Sequence, residues 1–256
     1  MSTHIITVAN QKGGVAKTMT SSAIAAMLYQ RHGYKVLCID MDPQANLTGN
    51  SGAEQNQALD NILRGQAKIS DHIQKTENYD ILGASISLAA MELELNGMLG
   101  REQRLKEAIE SDAELAKYDY IIIDTAPSLG TLTVAALVAS TDVLIPTMAD
   151  INSTTGIHQL GNTISSVRKY FNHNLNTIGV VFTRYNPRAK ISKQIKEVAE
   201  MLAEWLGTKV FDTFIRQSVI AVEANYCKKS LLDYGPKSTV ADDYSALVDE
   251  LLKEVA

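Results

Sequence analysis

The residues best suited to chemistry lie in one run near the start, Asn10-Gln11-Lys12-Gly13-Gly14-Val15-Ala16-Lys17-Thr18. An apolar, β-branched stretch, His4 to Val8, precedes it, and good helix formers from Ser21 to Gln30 follow. That is the pattern of strand, phosphate loop and helix. Gly13 and Gly14 let the backbone turn tightly, so that successive amide N–H groups converge on an anion at a helix N-terminus, where the dipole also favours negative charge. Lys17 supplies a point charge for β and γ phosphates, and the Thr18 hydroxyl is placed to coordinate Mg²⁺. Such a loop would hold a magnesium nucleoside triphosphate.

Three carboxylates complete the set. Lys35 to Asp40 reads as a second buried strand, and it runs into Asp40-Met41-Asp42-Pro43-Gln44. Both acids then sit at a strand's carboxyl end, beside the loop, where one could orient an attacking water or hold the metal's water shell. Asp-Pro is also ordinary turn chemistry. Farther on, Tyr118 to Pro127 contains Ile121-Ile122-Ile123-Asp124. Three consecutive isoleucines cannot alternate between core and solvent, so this strand is expected to be buried on both faces, as in a parallel sheet. Asp124 at its end would hold Mg²⁺ through water, making Thr18, Asp40 and Asp124 the metal-side candidates.

The elements that must position these residues alternate between β and α. Gly33 closes the first helix; Tyr79 to Gly83, Asp142 to Pro146, Thr177 to Thr183 and Val210 to Ile215 read as further strands. Helices are expected over Leu88 to Asn96, Arg101 to Glu110, Thr131 to Ala139, Thr155 to Phe171, Lys190 to Leu206 and Val240 to Val255. Leu47 to Ser70 is mostly polar and reads as a surface excursion with a short helix at Ala58 to Arg64. On the helix from Lys190, the stripe Ile191, Ile195, Val198, Leu202 and Trp205 reads as core. The fold class is α/β, a doubly wound, mostly parallel sheet with helices on both faces, in one domain over residues 1–256.

The 256 residues are 45% hydrophobic and 21% charged, which describes a globular protein rather than a disordered one. A net charge of -5 excludes a uniformly basic surface, so any DNA contact must come from a local patch. Two cysteines, Cys38 and Cys227, fit reduced thiols. No leader pattern and no membrane-length apolar run is evident, and a cytoplasmic location is expected. The acidic flanks of the last helix, Asp242, Asp243, Asp249, Glu250 and Glu254, argue against a membrane-surface role.

The loop departs from G-x-x-x-x-G-K-[ST], because Gln11 and Ala16 occupy its glycine positions while Lys12 precedes the glycine pair. It resembles the deviant Walker A motif K-G-G-x-x-K-[ST] of the ParA/MinD ATPases. Ile39 to Thr48 resembles the switch I pattern D-x-D-P-Q-x-N-x-T of the ParA/Soj partition ATPases, and Asp124 to Gly130 resembles their switch II. The resemblance implies ATP and Mg²⁺ as cofactors, with Lys12, Lys17 and Asp42 as the catalytic set. Lys12 would reach the partner's nucleotide across a dimer interface, and Asp42 would position the hydrolytic water. Lys12, Gly13, Gly14, Val15, Ala16, Lys17, Thr18 and Met19 would surround the phosphates. Thr183-Arg184-Tyr185-Asn186-Pro187 is similar to the MinD branch, which places the base between Thr183, Arg184 and Asn186 on one side and Arg216 to Ser218 on the other.

The same resemblance implies an ATP-dependent homodimer that binds double-stranded DNA nonspecifically and associates with the nucleoid when ATP-bound. Its slow hydrolysis would be stimulated by a ParB-like centromere-binding partner, in plasmid or chromosome segregation. With the first strand beginning near His4, operator-specific binding is not expected. Gln217 and Ile220 stand where the family carries arginines, and each phosphate-neutralising cation fewer flattens the salt slope by about one unit. Arg188, Lys190, Lys193, Arg216, Lys228 and Lys229 are the remaining candidates for a DNA patch. Two alternatives stay open: a MinD-like positioning ATPase on a membrane or protein scaffold, and an ATP-switched regulator with feeble hydrolysis, to which Ala16 beside the phosphates would contribute.

Overall fold

The computed structural model describes residues 3–255, with residues 151 and 152 described by their backbone alone. Its strands in chain order are β1 (His4–Val8), β2 (Val36–Met41), β3 (Gln74–Lys75), β4 (Asp80–Leu82), β5 (Tyr120–Thr125), β6 (Asp142–Thr147), β7 (Asn176–Thr183) and β8 (Val210–Ile215). They form one eight-stranded sheet in the order β3-β4-β2-β5-β1-β6-β7-β8, parallel throughout except for β3 against β4. The helices are α1 (Lys17–His32), α2 (Asn46–Ser51), α3 (Ala58–Leu63), α4 (Leu88–Leu95), α5 (Arg104–Glu110), α6 (Thr131–Ala139), α7 (Ile151–Tyr170), α8 (Lys190–Trp205), α9 (Val219–Tyr226), α10 (Leu231–Tyr234) and α11 (Thr239–Glu254).

The three isoleucines of β5 behave as their spacing demands. Ile122 packs into the core beneath α1 and α11, while Ile121 and Ile123 enter the opposite core beneath α4 and α6. Each is at most 1% exposed. A third core, under α7 and α8, takes Val143, Ile145, Val180 and Phe182. With both faces covered, the only open places along the inner strands are their ends. Asp40 on β2 and Asp124 on β5 are direct partners in the parallel register at the carboxyl ends, next to the loop that leaves β1.

Two expectations are corrected and one reading is extended. The stretch Leu47 to Ser70 is not a surface excursion: Leu47, Leu59, Ile62, Leu63 and Ile69 are all 0–1% exposed. Its few apolar residues turn inward, Leu47 on α2 into the core beneath α1 and Leu59, Ile62, Leu63 and Ile69 into the opposite one, so a polar majority still closes both cores. The α8 stripe is only partly core, because the helix is rotated about its axis. Ser192, Ile195, Ala199 and Ala203 face inward, and Ile191, Val198 and Trp205 are 48%, 43% and 50% exposed. The acidic residues of α11 are mostly engaged: Asp249 pairs with Arg31, Asp243 with Arg216, and Glu250 accepts the amides of Asp212 and Thr213.

Several boundaries moved for identifiable reasons. Helix α7 begins at Ile151 because the Asp150 side chain accepts the Ser153 amide at 3.0 Å, a cap that periodicity alone does not reveal. Helices α9 and α10 are too short for a periodic signal and were not expected. Ile122→Ala removes a side chain buried among both helices and the neighbouring strands. Urea unfolding should show a loss of about 3 kcal/mol with an unchanged slope.

Candidate functional site

The phosphate loop is the bend between β1 and α1. Gly14 has φ 75° and nothing within 4 Å of a Cβ built on it, so its requirement is conformational. A Cβ on Gly13 would lie 3.8 Å from that of Pro127, which brings switch II against the loop. Ala16, which caps α1, also has a left-handed φ of 61°. An L-residue pays for this with strain that glycine avoids. The first turn of α1 carries no acidic side chain, so its exposed amides face the site uncompensated.

Lys17 is 7% exposed and its Nζ donates to the Lys12 carbonyl at 3.1 Å. Burial lowers its pKa, against the opposing pull of Asp124 and Asp42. Beneath it lie Asp40 and Asp124, both fully buried. Asp40 is saturated: Oδ1 accepts the Asp42 amide at 3.1 Å, and Oδ2 accepts the Thr48 amide at 2.9 Å and hydroxyl at 2.7 Å. It therefore folds switch I around itself, and its two oxygens are taken up there rather than left for the metal side expected of it; Asp40 and Asp124 both lie behind the cavity wall. Asp124 differs. Its Oδ1 accepts from Ser21 at 2.8 Å, and among the described residues its buried Oδ2 has no hydrogen-bond partner. A hydroxyl beside a carboxylate oxygen with spare acceptor capacity fits a hydrated magnesium ion.

Burial first, then the Asp40 charge, raises Asp124 to about 7; hydrogen bonds from Thr18 and Ser21 and the Lys17 charge act the other way. Asp40 is raised to about 6, again chiefly by burial. Two like charges in adjacent strands cannot both ionise cheaply.

A cavity of about 540 Å³ opens above these groups. Gly13, Gly14, Ala16, Lys17, Thr18, Met19 and Asp42 line one end, and Thr183, Arg184, Arg216 and Ser218 line the other. Val15 and Asn186 are not on its wall. Val15 is fully buried in the core, and the Asn186 side chain accepts the Arg188 amide at 3.0 Å. Thr183 lies 3.1 Å from the Val15 carbonyl and 3.0 Å from that of Thr147, bracing the loop against two strands. Sequence reasoning missed Gln44, Asn50, Ala221, Val222, Asn225 and Tyr244, which come to the wall from α9, α11 and the switch I region. It also missed Ser21, whose only signal was its place one helical turn after Lys17.

Lys12 does not line this cavity either. Its ammonium pairs with the Asp150 carboxylate and lies 3.3 Å from the Ser153 hydroxyl. Burial would raise Asp150, but the hydrogen bond and charge of Lys12, with the Ser153 contacts, hold it below the usual carboxylate range. The DNA candidates separate: Arg188, Lys190 and Lys193 are exposed at the start of α8, and Lys228 and Lys229 are exposed after α9. Arg216 is committed to Asp243 at 2.6 Å.

Ala16→Gly should relieve the left-handed strain and stabilise the nucleotide-free protein by about 0.5–1 kcal/mol, read from urea midpoints. Asp124 binds its proton more tightly folded than unfolded, so its contribution to stability falls as pH rises from about 4 to about 7. The drop in melting temperature between about pH 5 and about pH 8 should accordingly be smaller in Asp124→Asn than in the native chain.

The family model described as an AAA domain matches residues 3–177. The sporulation initiation inhibitor protein Soj of Bacillus subtilis is 40% identical, over 98% of this chain and 98% of its own. The chromosome partitioning protein ParA of Caulobacter vibrioides is 35% identical, over 97% of this chain and 94% of its own. Among solved structures, the cobyrinic acid a,c-diamide synthase of Mycobacterium smegmatis with bound ATP analogue and magnesium is 32% identical. Its TM-score is 0.82, covering 99% of this chain and 96% of that one. Since identity of this level runs the length of both partners and not merely through the loop, the chain belongs to the ParA/MinD family of P-loop ATPases.

Proposed function

We propose that the chain is a partition ATPase: it binds ATP with magnesium, closes into a face-to-face dimer, and hydrolyses the nucleotide slowly until a centromere-binding partner accelerates the step. The observation that carries this reading is the position of Lys12. It belongs to the phosphate loop yet turns away from its own cavity toward Asp150 and Ser153. A cation beside a nucleotide site but not in it is available to a nucleotide brought by a second copy.

Roles follow for the other residues. The loop amides and Lys17 grip the phosphates, which requires Lys17 to leave the Lys12 carbonyl. Thr18 and the unpartnered oxygen of Asp124 would hold the magnesium ion, which would supply charge neutralisation for the triphosphate. Asp42 is 6% exposed on the cavity wall, and its Oδ1 is fixed by the Gln44 amide at 2.9 Å. It is positioned to orient the attacking water. Asp40 holds the frame of switch I. The base lies toward Thr183, Arg184 and Ser218, with Val222 and Tyr244 supplying apolar wall.

ATP can drive closure only if the closed state meets the γ phosphate better than the open one does. The proposed difference is the transfer of Lys12 from Asp150 to the partner's phosphates. Hydrolysis removes the phosphate and with it the preference. Nonspecific DNA binding by the dimer is supported by the exposed cations at Arg188, Lys190, Lys193, Lys228 and Lys229; no helix of the described residues is long and apolar enough to cross a membrane.

Sedimentation with a slowly hydrolysed ATP analogue and magnesium should show a dimer for the native chain. Lys17→Ala should bind no nucleotide, Lys12→Ala should bind it and remain monomeric, and Asp42→Ala should accumulate as an ATP-bound dimer. A native chain that stays monomeric under saturation refutes the switch.

A further inference from the structure

Helix α8 is oriented with part of its apolar side outward. Ile191, Val198, Met201 and Trp205 are 48%, 43%, 71% and 50% exposed. Ile191, Val198 and Trp205 recur every seven residues, with Gln194 and Met201 between them, which is the spacing of a helix-to-helix seam. The Trp205 ring is already fixed. It covers Gly161, where a Cβ would come within 2.5 Å of it, and stacks on His158 with centroids 5.2 Å apart. A half-exposed aromatic held in one place loses little freedom when something docks on it.

The charges on this helix say what docks. Lys190, Lys193 and Lys196 occupy its N-terminal half, and Glu197, Glu200 and Glu204 its C-terminal half. This opposes the helix dipole, which favours acids at the start and bases at the end. The other long helices do not share the reversal: the last turn of α1 holds Arg31 and His32, and α11 has Asp242 in its first turn and Lys253 in its last. Lys196 pairs with Glu200 at 3.7 Å, whereas Lys190, Lys193 and Glu204 have no ion pair among the described residues. An antiparallel copy of the same helix supplies what is missing at both ends at once: acids meet the basic end, bases meet the acidic end, and the two dipoles run opposite ways. A parallel copy would set like against like.

We propose that α8 is a second self-association surface, on which another copy of this chain docks with its own α8 antiparallel across a two-fold axis near Val198. That axis sets Ile191 against the partner's Trp205 and Lys190 against the partner's Glu204, while Lys193 and Glu200, farther round the helix, add longer-range attraction between the basic and acidic ends. No residue of α8 lines the nucleotide cavity, so the contact does not depend on nucleotide and goes beyond the closure proposed above. A helix of this length spans about 24 Å, and one helix pair buries less than the roughly 1,200 Å² of a stable interface. The contact is therefore weak between free chains and becomes effective when copies are held together, as two linked weak sites do. With nucleotide-driven dimers joined at the other face, it would link dimer to dimer.

The test uses the full chain without nucleotide. In a Cys227→Ser background, Val198→Cys places a thiol on the proposed axis, and Lys253→Cys, exposed on α11, serves as the control. Under mild oxidation Val198→Cys should form disulfide-linked dimers at least about tenfold faster than the control, because the axis holds its two thiols at high effective concentration. Added to Val198→Cys, the pair Lys190→Glu with Lys193→Glu should abolish the advantage, as should Glu200→Lys with Glu204→Lys. An equimolar mixture of the two reversed proteins should restore it, since each then complements the other. Cross-linking no faster than the control, reversals without effect, or a mixture that stays apart each overturn the proposal. The first of these is what a foreign protein on the stripe would give; DNA, proposed above to meet Lys190 and Lys193, is left out of the assay so that it cannot compete for them. Should Val198→Cys not fold, sedimentation of the native chain over a concentration series replaces it. The native coefficient should rise with concentration and that of Met201→Glu should not; equal behaviour overturns the proposal. Because nucleotide is absent throughout, failure here leaves the ATP-driven closure untouched.

Discussion

Two carboxylates sit side by side at the buried ends of adjacent parallel strands, and the site is arranged around the need to keep them there. Asp40 and Asp124 are paired in register and shut off from solvent, which favours their protonated forms. The fold resolves the conflict by giving them different neighbours. Asp40 receives three donors from switch I, so the first turn of α2 is built on it. Asp124 receives the Ser21 hydroxyl from α1, and its other oxygen has no partner among the described residues. One acid thus shapes the backbone, and the other retains the acceptor capacity that a cation requires.

The lysines stand in a matching relation. Each is held by a neighbouring group, Lys17 by a carbonyl and Lys12 by Asp150. In the roles proposed for them both contacts would give way to phosphate, and neither is strong enough to prevent it. Asp150 also caps α7 through the Ser153 amide, so the first loop, the second lysine and a long helix share one polar junction. A change in any of the three is felt by the others.

The outer surface follows a different logic. The acids of α11 bind Arg31, Arg216 and backbone amides of β8, fastening the last helix over the sheet. The charges at the two ends of α8 find no such partners. Charge used for internal anchoring and charge left outward look alike in composition and separate only in space.

Much of this was legible in residue order. The phosphate loop, the isoleucine strand ending in Asp124 and the alternation of β and α report constraints that act over a few consecutive residues, where backbone geometry and burial leave few choices of residue type. The base end of the cavity was less legible. Asn225 and Tyr244 join Thr183 only because three separated segments meet, and Asn186 turned instead to its own loop. Asp40 and Asp42, two residues apart, could not be distinguished by spacing, since hydrogen-bond donors from Thr48 decide which is saturated.

The chain by itself determined the class of fold and its membership of an ATP-binding P-loop family, because each depends on local periodicity or on residues adjacent in sequence. Only tertiary packing decided which side of α8 faces water, where Lys12 rests and which separated residues meet on the cavity wall. Helical periodicity gives the width of an apolar stripe, while its rotation against the sheet is set by small residues such as Ala199 and Ala203 fitting where larger ones cannot.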